Sequence, residues 1–344
     1  MPSSTSSSDP SPREIPAGDW RGTWLVAIAL AAALVWRLEA ATRAHGQRAS
    51  ITDDELTWSL ARRTVDDDAR VVAFVGSSRL QLAYSARAFA DAAPGWRGVE
   101  LAINGVKAPG ILDDLADDEH FHGLAVVDLV EWDFGGDDAN DARSYVTRFH
   151  DLWHAPGAAA NRSLAELVQT RLAILAVGGR AFITALVHRD GWPPPHWLAY
   201  SRQREGEGDF ALVSPKLLAA RRASWPNMFP APIAPDAWLA AARARIEPAI
   251  AKIRAHGGDV AIIHPPISGS LAAGFDARFP RARYWDAFAR SSPALVLHFR
   301  DLPGMRDLVC PDDMHLDDRD RPAFTTSLVA ALREHGLLTP AAAR

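Results

Sequence analysis

Five short apolar runs, rich in β-branched residues, each give way to a turn and then to a helical pattern. They are residues 70–75 closing at Gly76, 99–103 closing at Asn104-Gly105, 124–130, 260–263 and 295–299. Runs of this length and composition read as buried strands. Helical periodicity follows over 79–92, from about Pro109, over 236–256 with Gly257-Gly258 as its stop, and over 321–335. Pro109 suits a first helical turn and Pro248 is expected to kink the long helix. Strands alternating with helices predict an α/β fold with a central parallel sheet covered on both faces. In such sheets ligands bind beyond the carboxyl ends of the strands, so the residues that end each run carry the functional interest.

The chain has 344 residues, 48% hydrophobic and 23% charged, which is enough apolar material for a large core. Its formal net charge is −5, which argues against a nucleic-acid partner. Cys310 is the only cysteine, so neither an intrachain disulfide nor a zinc site of several thiolates can form.

Residues 1–20 are rich in Ser, Pro and Asp and read as a disordered tail. From Gly22 to Trp36 no charge occurs, with Trp24 and Trp36 near the two ends and Arg21 and Arg37 flanking. Interfacial tryptophans and snorkelling arginines fit a membrane helix over 21–40, although a span usually takes about 20 apolar residues. No clear small-residue cleavage site follows, so the reading is an uncleaved signal anchor, with 41–69 as a connecting helical segment. Arginines at both ends leave its orientation open. The competing reading is a buried helix of a soluble domain. Residues 70–338 form the main domain, interrupted at about 135–235, where the alternation breaks. That insertion holds a helix expected to start at a Ser163/Glu166 capping box and two tryptophan–proline segments at Trp192 and Trp225. It reads as a large loop-and-helix insertion on the sheet, able to act as a lid.

The chemistry sits at two strand ends. Gly76-Ser77-Ser78-Arg79 passes from the first strand straight into a helix. A serine there is exposed above the sheet beside a helix N-terminus, whose positive end favours an oxyanion. The bland alternative is that Ser77 only caps the helix. Near the C-terminus stands Cys310-Pro311-Asp312-Asp313-Met314-His315. A carboxylate three residues before a histidine can hold its ring, leaving the other nitrogen to take a proton from a serine. The alternative is a solvated acidic loop, and Asp313 is the rival carboxylate, expected to point to solvent.

Together, the Gly-Ser-Ser turn and the Asp-x-x-His resemble the SGNH, or GDSL-like, hydrolase superfamily. With Ser77 where the usual aspartate stands, the first motif looks like that of the membrane-anchored branch that acts in D-alanine transfer to teichoic acid and in alginate acetylation. The resemblance implies a flavodoxin-like three-layer α/β/α sandwich with sheet order 2-1-3-4-5 and the strand ending at Gly76 in the middle. It implies Ser78 as nucleophile, His315 as base and Asp312 as orienting acid. The oxyanion would be held by the backbone N–H groups of Ser78 and Gly105, with Gly110 as fallback. The family's third-motif asparagine is missing, since the third run continues as Leu129-Val130-Glu131-Trp132-Asp133; one lost oxyanion donor costs about 100-fold or more in rate.

The function so implied is serine-dependent acyl transfer to an exported or cell-envelope polysaccharide. It would run on the outer side of the cytoplasmic membrane, with an acyl donor that a multispanning membrane protein can supply. An esterase of the same fold and a non-catalytic assembly subunit are the alternatives. Ser77, Arg79, Asn104 and His264 are expected near the substrate, His264 otherwise serving a rigid turn with Pro265-Pro266. No cofactor is implied, and no metal: His150 and His154 are spaced for one helix face, but Asp151 is not the glutamate of a zinc-protease motif.

Overall fold

In a computed structural model, residues 20–134, 141–188, 191–231 and 233–339 are described. The expected tail lies outside them apart from Trp20. The strands are β1 (Val71–Val75), β2 (Arg97–Glu100), β3 (Leu124–Asp128), β4 (Leu198–Tyr200), β5 (Gly206–Gly208), β6 (Asp259–His264) and β7 (Leu295–His298). Five of them form one sheet in the order β2-β1-β3-β6-β7, every neighbouring pair parallel. With β6 and β7 as the fourth and fifth runs, this is the expected order. The strand ending at Gly76 is internal but second from the edge; β3 is at the centre.

All residues of β1 and β3 are buried, as unbroken apolar strands must be when both sheet faces are covered. The chain leaves β1 towards β2 and then reverses across β1 to β3. Right-handed crossovers therefore place the helix Ala86–Ala92 on one face and Pro109–Asp117 on the other. Arg321–Glu334 packs with the first and Pro235–Ala255 with the second. Such a reversal is where α/β sheets bind ligands, at the carboxyl ends of β1 and β3.

Several boundaries differ from the expectation for local reasons. The helix over 79–92 is two, Ser78–Gln81 and Ala86–Ala92. Ser85 caps the second, and Arg321 donates to the Tyr84 carbonyl at the break. The second strand starts two residues early, and its pairing continues past Glu100 through Leu101 N–H to Phe74 O and Ile103 N–H to Gly76 O. No capping box forms at Ser163. It lies inside the helix Ala158–Gln169, its hydroxyl donating to Ala159 O, while Glu166 pairs with Arg162.

The insertion is fastened to the sheet. The antiparallel β4–β5 hairpin presents Arg204, at φ +64°, whose guanidinium binds Asp53 and the carbonyls of Glu100 and Ala102. The helix Arg21–Ala44 has 24 residues, about 36 Å at 1.5 Å per residue, long enough for a hydrocarbon core of about 30 Å. Its most apolar window is only 6% buried. Leu25, Ile28 and Leu34 are 68%, 62% and 58% exposed rather than packed into the core, so the buried-helix alternative does not hold.

Candidate active site

Ser77 and Ser78 separate by local geometry. Ser77 is the N-cap of Ser78–Gln81, accepting from the Arg79 N–H, and both its N–H and its hydroxyl donate to Asp128 Oδ2, at 3.2 and 2.9 Å. It is buried and faces β3. Ser78, the first helical residue, is partly exposed and faces the C-terminal loop, its Oγ 2.9 Å from His315 Nε2. The turn can sit this close to β3 only because residue 76 is glycine; a Cβ there would stand 2.7 Å from the Asp128 Cβ.

His315 is held from the other side. Asp312 Oδ1 accepts the backbone N–H groups of Met314 and His315, which folds the Asp-x-x-His turn. Its Oδ2 faces His315 Nδ1 at 2.9 Å, so the carboxylate assigns the ring proton to Nδ1 and leaves Nε2 to accept from Ser78. Burial opposes the charge of Asp312, but the His315 hydrogen bond and charge and the two backbone donors outweigh it and pull its pKa down to about 2. Asp313 does not point to solvent as expected. At φ +72° it is buried, and its Oδ2 accepts the N–H and hydroxyl of Ser270.

Asn104 and Gly105 follow Ile103, the residue paired to Gly76, so they border the serine turn. Gly105 is exposed at φ +81°, and Asn104 hydrogen-bonds the Tyr200 hydroxyl. The N–H groups of Ser78 and Gly105 have no hydrogen-bond partner among the described residues. Gly110, the fallback, is packed against the backbone of Ala142 and Arg143.

Three expected substrate contacts are structural: Ser77, buried against Asp128, Arg79 and His264. The buried Arg79 guanidinium binds Asp128 and Asp133, each at 3.0 Å. Burial would lower its pKa, but the two carboxylates raise it. Asp133 also accepts the Val130 N–H. His264 is 2% exposed, with Nδ1 at the Pro265 carbonyl, Nε2 3.2 Å from Glu131, and its ring stacked on His298. It is a core histidine beyond a ligand's reach. Among the described residues no group of potential ligands could hold a metal; His150 instead bonds Asp114.

The insertion also contributes to the site, through residues that no motif singled out. The helix Pro215–Ser224 brings Arg221 Nη1 to 3.1 Å from Asp312 Oδ2, and Arg222 to the Pro311 carbonyl. Arg221 lies over the Trp197 ring, and Trp225 donates to the Asp312 carbonyl with its ring edge-on to His315. These contacts cross about 90 residues of chain, and no spacing rule links such positions. Only the concentration of Arg and Trp in an irregular stretch signals them. Comparison of the chain with protein-family models, curated proteins and solved structures returns no match.

Proposed function

We propose that this chain is a membrane-anchored serine acyltransferase of the SGNH type, acting on an exported polysaccharide. The observation that carries the reading is the continuous relay from Ser78 Oγ through His315 to Asp312, with both links 2.9 Å. A hydroxyl facing a neutral imidazole nitrogen, itself oriented by a buried carboxylate, is arranged for nucleophilic attack. In the proposed cycle Ser78 Oγ attacks the carbonyl carbon of an acyl donor as His315 Nε2 takes its proton. The tetrahedral intermediate collapses to an acyl-enzyme, and His315 returns the proton to the departing alkoxide. A sugar hydroxyl then gives its proton to His315, attacks the acyl-enzyme and restores Ser78; water in its place gives an esterase. The N–H groups of Ser78 and Gly105, without a partner among the described residues, are the proposed oxyanion donors.

Transfer rather than hydrolysis is favoured by the exposed helix Arg21–Ala44, which as a single span would keep the domain beside an envelope polymer and a membrane-borne donor. We place the domain on the outer side of the cytoplasmic membrane. The test is a fluorophosphonate probe on the full chain in detergent, followed by an acetyl ester with an oligosaccharide acceptor, read by mass spectrometry. Labelling that disappears in Ser78→Ala, with acyl groups found on the oligosaccharide, supports the reading. Labelling with release of free acid alone makes the protein an esterase. No labelling of the wild type leaves the fold as a binding subunit and sinks the catalytic proposal.

A further inference from the structure

The insertion carries an apolar surface that the other described residues leave uncovered. After the helix Ala158–Gln169 come two short helices, Ile174–Val177 and Gly179–His188, broken at Gly178 with φ +72°. Leu175, Ile183 and Val187 are 49%, 62% and 69% exposed. Leu164, Leu167 and Val168, spaced to share one helix face, are exposed just before them. From Leu167 to Arg189 the sequence has no carboxylate, while Arg171 and Arg180 are exposed within it. A surface helix that is apolar on its exposed side needs a cover.

What covers it follows from where it is fastened. Ile174–Val177 packs on Arg21–Ala44. Glu39 accepts the backbone N–H groups of Ala173 and Ile174 at 2.9 and 3.0 Å, and Arg43 donates to the Arg171 carbonyl at 2.8 Å. Glu39 lies three residues beyond Trp36, where the uncharged run ends, or about 4.5 Å along the axis. That depth is the headgroup zone, where amphipathic helices lie with their apolar side about 5–10 Å into the boundary. Six residues further on, at the end of that helix, His45 stacks on Trp192 with ring centroids 4.9 Å apart, a second tie between anchor and insertion. The ten residues of Gly179–His188 reach only about 15 Å, too short to cross.

We propose that residues 164–188 form an interfacial surface that lies on the bilayer beside the anchor, its arginines towards anionic headgroups. The domain then has two attachments and a fixed tilt, instead of swinging on one helix. The inference rests on Arg21–Ala44 spanning the membrane.

The test uses the full chain in phosphatidylcholine–phosphatidylglycerol vesicles. Cys310 is buried, so a fluorophore can be directed to single introduced cysteines, the unsubstituted chain giving the background. Labels are placed at Ile183→Cys and Val187→Cys. Leu34→Cys serves as the buried reference and Val309→Cys, as exposed as Val187, as the aqueous one. Nitroxide-bearing lipids should quench the labels at 183 and 187 at least about threefold more than that at 309. Quenching at 34 but not at 183 or 187 overturns the surface alone, whereas loss of quenching at 34 overturns the anchor reading beneath it. Shielding of 183 and 187 from aqueous iodide without lipid quenching would mean that protein, such as a second copy, covers the surface, and also overturns the proposal.

Discussion

Arg221 Nη1 lies 3.1 Å from Asp312 Oδ2, the oxygen that also faces His315 Nδ1 at 2.9 Å. One carboxylate oxygen thus serves a cation from the insertion and the proposed catalytic base together. The cation holds the carboxylate in place but also opposes charge on the imidazole. Arg221→Gln removes that cation. The fluorophosphonate labelling rate should fall about tenfold through lost orientation. Arg222→Gln, which loses the bond to the Pro311 carbonyl and the ion pair with Asp313 but leaves the Asp312 carboxylate untouched, should label at close to the wild-type rate. An unchanged labelling rate in Arg221→Gln would reduce the arginine to a packing residue.

The two serines make opposite predictions. Ser78→Ala should abolish labelling with a thermal midpoint close to wild type, since the side chain is partly exposed and its partner His315 stays tied to Asp312. Ser77→Ala should keep the nucleophile but lose about 1–2 kcal/mol, from the lost cap and the hydroxyl bond to buried Asp128. Labelling at residue 77 in a peptide map would reverse the assignment.

The parts of this site that local rules govern could be read from the sequence. Gly76-Ser77-Ser78 and Asp312-x-x-His315 are short-range devices, a capped turn and a folded-back carboxylate, and a strand-helix alternation brings both to one sheet edge. Arg79 and His264 were misread as substrate-facing because a charged or titratable residue at a strand end looks accessible until its partners are known. Asp128 with Asp133 covers the first, and Glu131 with His298 encloses the second. Arg221, Trp225 and Arg204 act across 87 to 151 residues of chain. Such pairings depend on how the insertion docks, for which neither periodicity nor propensity carries a signal.

Gly76 gives a steric test of the turn. In Gly76→Ala the new methyl would meet Asp128 Cβ at 2.7 Å and Leu80 Cβ at 3.0 Å, in a buried turn with little room to yield. Overpacking of this kind costs about 1–3 kcal/mol. The shift should also draw Ser78 away from His315, so labelling should slow at least about tenfold in protein that remains folded. Gly105→Ala meets no atom within 4 Å, but its φ of +81° disfavours a side chain. It should cost about 1 kcal/mol. A variant at 76 as stable and as reactive as wild type would mean the turn is looser than its packing implies.

Glu100 supplies a pH dependence away from the proposed chemistry. It ends β2 and is buried; one carboxyl oxygen accepts the Ala102 N–H, and the other has no hydrogen-bond partner among the described residues. Burial pushes its pKa from 4.5 up to about 8, against the pull of the Ala102 N–H and Arg204. The folded state therefore keeps a proton that the unfolded chain gives up at lower pH. Stability is lost as pH rises from about 4.5 to about 8 and levels off above that. Glu100→Gln stays neutral at every pH and keeps an oxygen for the Ala102 N–H. Relative to wild type it should be nearly neutral at pH 4.5 and more stable by roughly 5 kcal/mol at pH 8.5. Chemical denaturation of both proteins in one detergent across this range measures the difference. If the gap between them stays constant from pH 4.5 to 8.5, Glu100 ionises in the native state as it does in the unfolded chain.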